Sequence, residues 1–268
     1  MSAYTGRELY DAAMFGRVHE VSSLLKDHPN SVNWINTNFW TPLHTVVHNA
    51  ENDDDLEIVK IFLAHPNTSI NSRTARGQTP FSFACEGGKV SVVQVMLNDD
   101  RVDITKDDLS GRTPMWWASC EGNHEVIKWL IASGRNLGNF ETMKGEHFDG
   151  KYYTALEIAR KHEKGEVVSL LEKFLENSTQ TRHELRIELG VVDELAADIF
   201  SLTIFLCDDI LQLKKYCDGG ASRFFATAKR LPLELQMILC RRAAKSSRDR
   251  ILSKDSEPAF KRLACVLN

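Results

Sequence analysis

Long apolar runs are missing from this 268-residue sequence. The most continuous one, residues 195–207, is interrupted by Asp198 and closed by Asp208 and Asp209. At roughly 13 residues it is shorter than the ~20 that a membrane helix needs, so it reads as a buried helix. An apolar leader is also lacking, since Arg7, Glu8, Asp11, Arg17 and Glu20 punctuate the first twenty residues, and no secretory signal is expected. The six cysteines stand at 85, 120, 207, 217, 240 and 265, with no CxxC among them. That spacing excludes a cysteine zinc site and suggests no disulfide framework, so a soluble protein of a reducing compartment is the default. With 15 glycines and 7 prolines the chain is neither collagen-like nor of low complexity. Phosphate loops, dinucleotide fingerprints, nucleophile elbows and HExxH zinc motifs are all absent.

What is present is ordinary for a globular protein: 43% hydrophobic and 26% charged residues, with a net charge of −4. The length suggests one large domain or two small ones. The charge is uneven, because residues 221–268 hold 11 Lys and Arg against 4 Asp and Glu, which leaves the rest of the chain acidic. Arg241, Arg242, Lys245, Arg248 and Arg250 crowd the basic end. No base-stacking aromatic set accompanies them, so solvated surface is preferred to a nucleic-acid site.

Internal repetition decides the architecture. Thr41-Pro42-Leu43-His44 recurs as Thr79-Pro80-Phe81-Ser82, Thr113-Pro114-Met115-Trp116 and Thr154-Ala155-Leu156-Glu157, at spacings of 38, 34 and 41 residues. Proline at a first helical position loses no hydrogen bond and presets φ, and the threonine before it can cap the helix. Small residues at Ala84, Cys85 and Ala118 let neighbouring helices approach, and Gly88 and Gly122 suit a tight turn between paired helices. Second apolar helices follow over 56–63, 90–97, 125–131 and 167–175. An opening unit lacks Thr-Pro but keeps Leu9, Ala12, Ala13, Gly16 and then Val18, Val21, Leu24 and Leu25.

These units resemble the ankyrin-repeat family, whose ~33-residue repeat carries T-P-L-H-x-A. The resemblance spans residues 5–176, about five repeats with degenerate ends, as terminal caps require. It implies an all-α solenoid of paired helices with β-turn fingers over residues 1–176. From 177 the repeats stop at a polar joint, residues 177–181, and a small α-helical C-terminal domain over 177–268 is expected. The second repeat holds about four extra, acidic residues at 49–55, which lack the spacing of a calcium loop and read as a solvated loop. The long finger over 134–153, with Phe140, Phe148, Tyr152 and Tyr153, reads as either a functional or a disordered loop.

Ankyrin arrays bind proteins on a concave face of fingers and first helices, and the resemblance places contact residues there. The first finger offers Asn36, Asn38, Phe39 and Trp40, with Phe39 where the family has glycine. The second offers Arg73, Arg76 and Gln78, with Glu86 on the helix behind it. The third offers Asp107, Leu109 and Arg112, with Trp116 and Glu121 on its helix. Trp40, Arg76, Arg112 and Trp116 are the expected anchors, since aromatics and arginine dominate hot spots; Trp116 can equally fill core. Trp117 reads as core, and Cys85 and Cys120 as inert packing. His44 and His48 have the spacing of a two-histidine metal face but no third ligand, so no metal, cofactor or catalytic residue is assigned.

One further motif stands in the second segment. Leu231-Pro232-Leu233-Glu234-Leu235 resembles the opening of an F-box, and a similar segment follows ankyrin arrays in the poxviral PRANC group. The resemblance implies docking of Leu231, Pro232, Glu234 and Leu235 on a Skp-type adaptor of a cullin–RING ubiquitin ligase. A proline-initiated structural helix accounts for the same residues. A SOCS box is set aside because no leucine stands four residues before Cys207 or Cys240. The sequence thus reads as a non-enzymatic interaction module, monomeric, cytoplasmic or nuclear, with a ligase substrate adaptor as the alternative.

Overall fold

The computed structural model describes residues 2–192, 199, 201, 233–244 and 259. The chain divides into two compact units, residues 1–182 and 183–268. In the first unit helices come in pairs: α1 (Ser2–Met14) with α2 (Val18–Asp27), α3 (Pro42–Asn49) with α4 (Asp53–Ala64), α5 (Pro80–Glu86) with α6 (Val90–Leu97), α7 (Pro114–Glu121) with α8 (His124–Ser133), and α9 (Ala155–Lys161) with α10 (Gly165–Glu176). First helices pack on first helices, in the order α1, α3, α5, α7, α9, and second helices on second helices, so the core is a two-layered stack. Leu9, Leu43, Phe81, Met115 and Ile158 fill the first layer, while Ile58, Phe62, Met96, Ile127, Leu130 and Leu171 fill the second.

The threonines start the helices as their chemistry requires. The side chains of Thr41, Thr79, Thr113 and Thr154 each accept from the backbone N–H three residues on, and a proline follows the first three. Each such cap is worth about 1 kcal/mol.

Between the pairs the chain turns through fingers of one recurring geometry. Hydrogen bonds Asn36 N to Trp40 O, Thr74 N to Gln78 O, Asp108 N to Arg112 O and His147 N to Lys151 O close four equivalent turns. The fourth turn is longer at its base, where β1 (Gly145–Glu146) pairs antiparallel with β2 (Tyr152–Tyr153). The stretch expected to be either functional or disordered is thus a hairpin at its end, and Phe140 within it is buried, stacked on Phe174 at 6.0 Å. Gly77 and Gly111 take positive φ in the turns, and a Cβ at either would collide with the next finger, at Leu109 N and at Lys144 O. Only glycine meets both demands.

Two expected loops are otherwise. The acidic insert at 49–55 begins α4. Asn52 accepts from Asp55 N, and the buried Asp55 carboxylate accepts from Glu51 N and Asn52 N, a reciprocal cap that turns extra residues into a helix start. The polar joint at 177–181 likewise opens a helix, α11 (Ser178–Glu188), with Asn177 Oδ1 accepting from Gln180 N.

Successive repeats are tied on both sides. On the finger side, His44 Nδ1 accepts from Thr41 N at 3.1 Å, which leaves the proton on Nε2 to reach Gln78 O at 3.3 Å in the next finger. On the opposite side arginines bind carbonyls at or near helix ends. Arg101 donates to Leu63 O at the end of α4, Arg135 to Leu97 O and Val102 O beside the end of α6, and Arg182 to Ile131 O in α8.

Of the second unit, the helix Leu233–Ala244 is described, with Gln236 and Cys240 buried and Ile238 exposed. Leu185, Val192 and Ala259 are also buried.

Burial lowers the pKa of His44 from 6.5 to about 4. A depressed folded value means stability that is present above pH 6.5 and is lost as the pH falls toward 4. Urea unfolding at pH 7 and pH 5 is expected to show a loss of about 2 kcal/mol from this residue, at ~1.4 kcal/mol per pH unit. A His44→Asn protein should be less stable at pH 7 but flatter between the two; an equally steep profile would refute the assignment.

Candidate protein-binding face

The fingers lie edge to edge and are held there by backbone hydrogen bonds. Ala75 N donates to Asn38 O at 3.0 Å, Leu109 N to Arg76 O at 3.0 Å, and Glu146 N to Ser110 O at 2.8 Å. Within the turns, Asn36 Oδ1 accepts from Asn38 N and Trp40 N, and Asp108 Oδ1 from Ser110 N and Arg112 N. Thr74 occupies the same slot, and its buried hydroxyl has no partner among the described residues. Its side chain is one atom too short to copy the carboxylate.

The turns align four slots. The slot at the tip holds Thr37, Ala75, Leu109 and Phe148, the next holds Asn38, Arg76, Ser110 and Asp149, and the third holds Phe39 and then glycines. The last holds Trp40, Gln78 and Arg112, which touch residues of the first helices, and Lys151, which is exposed. Phe39 sits at φ 59 with 53% of its surface exposed. A bulky residue in the left-handed region is strained by roughly 1–2 kcal/mol, and no aromatic partner within the described residues offsets it.

Behind the fingers the helices supply a chemically graded floor. Near the first finger it is aromatic: the Trp40 ring lies 4.7 Å from Phe83 and 5.2 Å from His48. Near the second it is acidic. Gln78 donates to Glu86 at 2.8 Å, and burial, reinforced by the nearby charges of Glu121 and Asp108, holds the Glu86 carboxyl above its ordinary value. Near the third and fourth it is cationic over aromatic. The Arg112 guanidinium stands 5.0 Å from the centroids of both Trp117 and Phe148 while its Nε donates to Glu146 O at 2.6 Å.

The residues expected at this face therefore divide. Asn38, Phe39, Arg73, Arg76, Leu109 and Glu121 are exposed, and Asn36, Trp40, Glu86, Asp107 and Arg112 are half-buried. Arg73 is held along the finger, Nε to Gly77 O and Nη2 to Asp107 O. Trp116 and Gln78 correct the expectation. Trp116 is only 1% exposed, and its indole N–H donates to Tyr153 O at 2.9 Å. It does the work of His44 one repeat pair later, bonding the carbonyl just ahead of the next threonine, and so offers a partner nothing. Gln78 is buried with its amide committed to Glu86. Leu231 and Pro232 lie outside the described residues; Glu234 and Leu235 fall on the helix that starts at Leu233, and their side chains lie outside the described set.

One group escaped the sequence reading. His147 Nε2 and His162 Nε2 meet at 3.2 Å, with Asp149 Oδ1 3.1 Å from His147 Nδ1, fixing the last finger on α9. Burial, and then the charge of His147, lowers the pKa of His162. Cys120 Sγ lies 3.9 Å from His162 Nδ1, but burial pushes its thiol up to about 12, so the pair holds no thiolate nucleophile at neutral pH. Among the described residues no set of three or more metal-ligating side chains converges, and no helix is long and apolar enough to cross a membrane. Phe148 was read as an aromatic of the long finger, without its place in the finger register. Its signal was Gly150, which aligns 147–150 with 108–111, but the two extra residues before Thr154 hid the register.

Residues 47–141 match the family model described as ankyrin repeats, in three copies. With the paired helices and fingers above, the first unit is a mostly helical ankyrin-repeat solenoid. The chain is similar to mouse ankyrin repeat domain-containing protein 63, 30% identical over 41% of the chain and 27% of that protein. It is also similar to variola virus ankyrin repeat protein OPG189, 24% identical over 42% of the chain and 21% of that protein. A third relative is the Arabidopsis thaliana E3 ubiquitin-protein ligase XBAT33, 32% identical over 48% of the chain and 24% of that protein. The match thus spans about a quarter of the length of these relatives.

Phe39→Gly removes the left-handed strain and is expected to raise stability by up to about 1 kcal/mol, after the entropy cost of glycine. Urea denaturation measures it; a loss of stability would show that the ring contributes packing that outweighs the strain.

Proposed function

We propose that the repeat array, taken as residues 1–176, is a non-enzymatic protein-interaction module whose partner lies against the fingers and first helices, with the helical remainder as a separate unit. One observation carries this reading. The fingers are bonded into a rigid row, yet the row holds large apolar side chains in water, with Phe39 in a strained backbone and Leu109 75% exposed. Strain and apolar exposure held by a backbone-bonded row of fingers are features of binding surfaces more than of folding cores. Ankyrin repeats in general mediate protein binding, which supports the same reading.

The test is site-specific photo-crosslinking in cells. A crosslinking amino acid at Phe39, Leu109 or Glu121 is expected to trap the same partner, whereas one at Lys60, exposed on the outer layer, is not. Trapping confined to Lys60 or to the second unit would overturn the reading.

A substrate adaptor is the second reading. It is supported by the helix that starts at Leu233 directly behind Pro232 and leaves Ile238 exposed, and by the ligase names of two plant relatives. Here the repeats would hold a target while this helix recruits a Skp-type adaptor. Calorimetry against such an adaptor should show binding that is lost in Leu235→Asp with the repeat array still folded. No binding by the intact chain would reduce the motif to a structural helix.

A further inference from the structure

We propose that the tips of the third and fourth fingers, with Arg76 of the second, form a cationic–apolar strip that binds an acidic partner segment carrying apolar anchors. The inference rests on the interaction reading above and adds the chemistry of the partner.

The strip comprises Arg76, Leu109, Phe148, Lys151 and Tyr152. Leu109 is 75%, Phe148 80% and Tyr152 58% exposed, more than most other large apolar side chains among the described residues. They are not loose. The Leu109 N–H is bonded to Arg76 O, so these two residues stand side by side on neighbouring fingers. Phe148 is fixed from beneath by the Arg112 guanidinium, which is itself bonded to Glu146 O. His147, next to it, is pinned to His162. Fixed apolar posts need little ordering when a partner arrives, so more of the contact energy appears as affinity.

The charge around the posts has one sign in excess. Arg76 and Lys151 are exposed, and neither side chain has an ion-pair partner among the described residues. The nearby acids are spent or turned aside. Asp149 is held by Lys161 Nζ at 2.8 Å and by Tyr153 Oη at 3.0 Å, and Asp108 is buried inside its turn. Asp107 is half-buried and its carbonyl accepts from Arg73 Nη2, and Glu146 is half-buried beside Lys144, which reaches Glu157 at 3.6 Å; Glu141, earlier in the 134–153 segment, is exposed. This local positive excess lies within a part of the chain whose acidic residues outnumber its basic ones. Complementary charge steers a partner and rejects one of like sign, so the occupant that fits is acidic between its apolar residues.

The experiment uses the full chain and a displayed library of random peptides of about 16 residues, followed by fluorescence anisotropy on the winners. Selected peptides are expected to be net negative and to carry Leu, Ile or Phe. Their affinity should fall about tenfold or more in Leu109→Asp or Phe148→Asp, as for truncated hot spots. Arg76→Glu should weaken them about tenfold and make binding less sensitive to salt. Lys60→Glu should change affinity less than about twofold, because Lys60 sits on α4, a helix of the second layer, and not on a finger. All four positions are exposed, and unchanged thermal melting confirms folding. Neutral or basic winners, no winners, or acidic winners indifferent to Leu109→Asp and Phe148→Asp each overturn the inference. Crosslinks at Leu109 combined with such a result would leave the interaction reading standing and remove the partner chemistry alone, whereas the absence of crosslinks at the fingers would remove both.

Discussion

The structure depends on the bond that runs from the third residue inside a first helix to the carbonyl just ahead of the next threonine. His44 makes it to Gln78 O and Trp116 makes it to Tyr153 O. Each unit of a solenoid touches only its neighbours, so the stability of the array is a chain of nearest-neighbour couplings. This bond joins the start of one helix to the finger that leads into the next, and it fixes the spacing at which fingers can bond edge to edge. Between the second and third Thr-Pro units the slot holds Ser82, whose hydroxyl meets only Thr79 at 3.1 Å. There the coupling passes to the finger ladder, to the packing of α5 on α7, and to side chains that reach the neighbouring backbone, Arg73 to Asp107 O and Asn123 to Cys85 O and Glu86 O.

The outer layer solves the same problem with different chemistry. The carbonyls of Leu63 and Leu97 at the ends of α4 and α6 accept from Arg101 and Arg135, and Ile131 O near the end of α8, already bonded to Gly134 N, accepts also from Arg182. A guanidinium at a helix C-terminus also meets the negative end of the dipole. The repeats that begin with Thr41 and Thr113 are thus pinned on the finger side by an imidazole or an indole, while guanidinium groups tie the helix ends on the other side.

Much of this was legible in the sequence because it rests on local rules. Thr-Pro fixes where α3, α5 and α7 begin, and Gly77 and Gly111 mark fingers whose backbone no other residue tolerates. What was not legible depends on long-range geometry. Trp116 stood in a slot that histidine fills in the family, and its size suggested a surface anchor; only the position of Tyr153 O shows that it is a donor in the core. The acidic residues near 52 looked like solvated insertion because a reciprocal cap needs the turn's geometry, not its composition. Phe148 was visible as an aromatic in a long loop, but its slot became clear only when the hairpin at its base showed the two-residue offset. The motif around Leu231 begins in residues outside those described, so its reading still rests on the resemblance alone.

The tip slot runs Thr37, Ala75, Leu109, Phe148, small at one end of the row and large at the other. A strictly periodic array is degenerate: an elongated ligand could slide by one repeat, or turn end for end, at almost no cost. The gradient lifts that degeneracy. It gives the row a polarity, so that a ligand with its bulk matched to the Leu109–Phe148 end has one register and one direction, and the identity of the array as a recognition surface lies in its broken symmetry more than in any single contact.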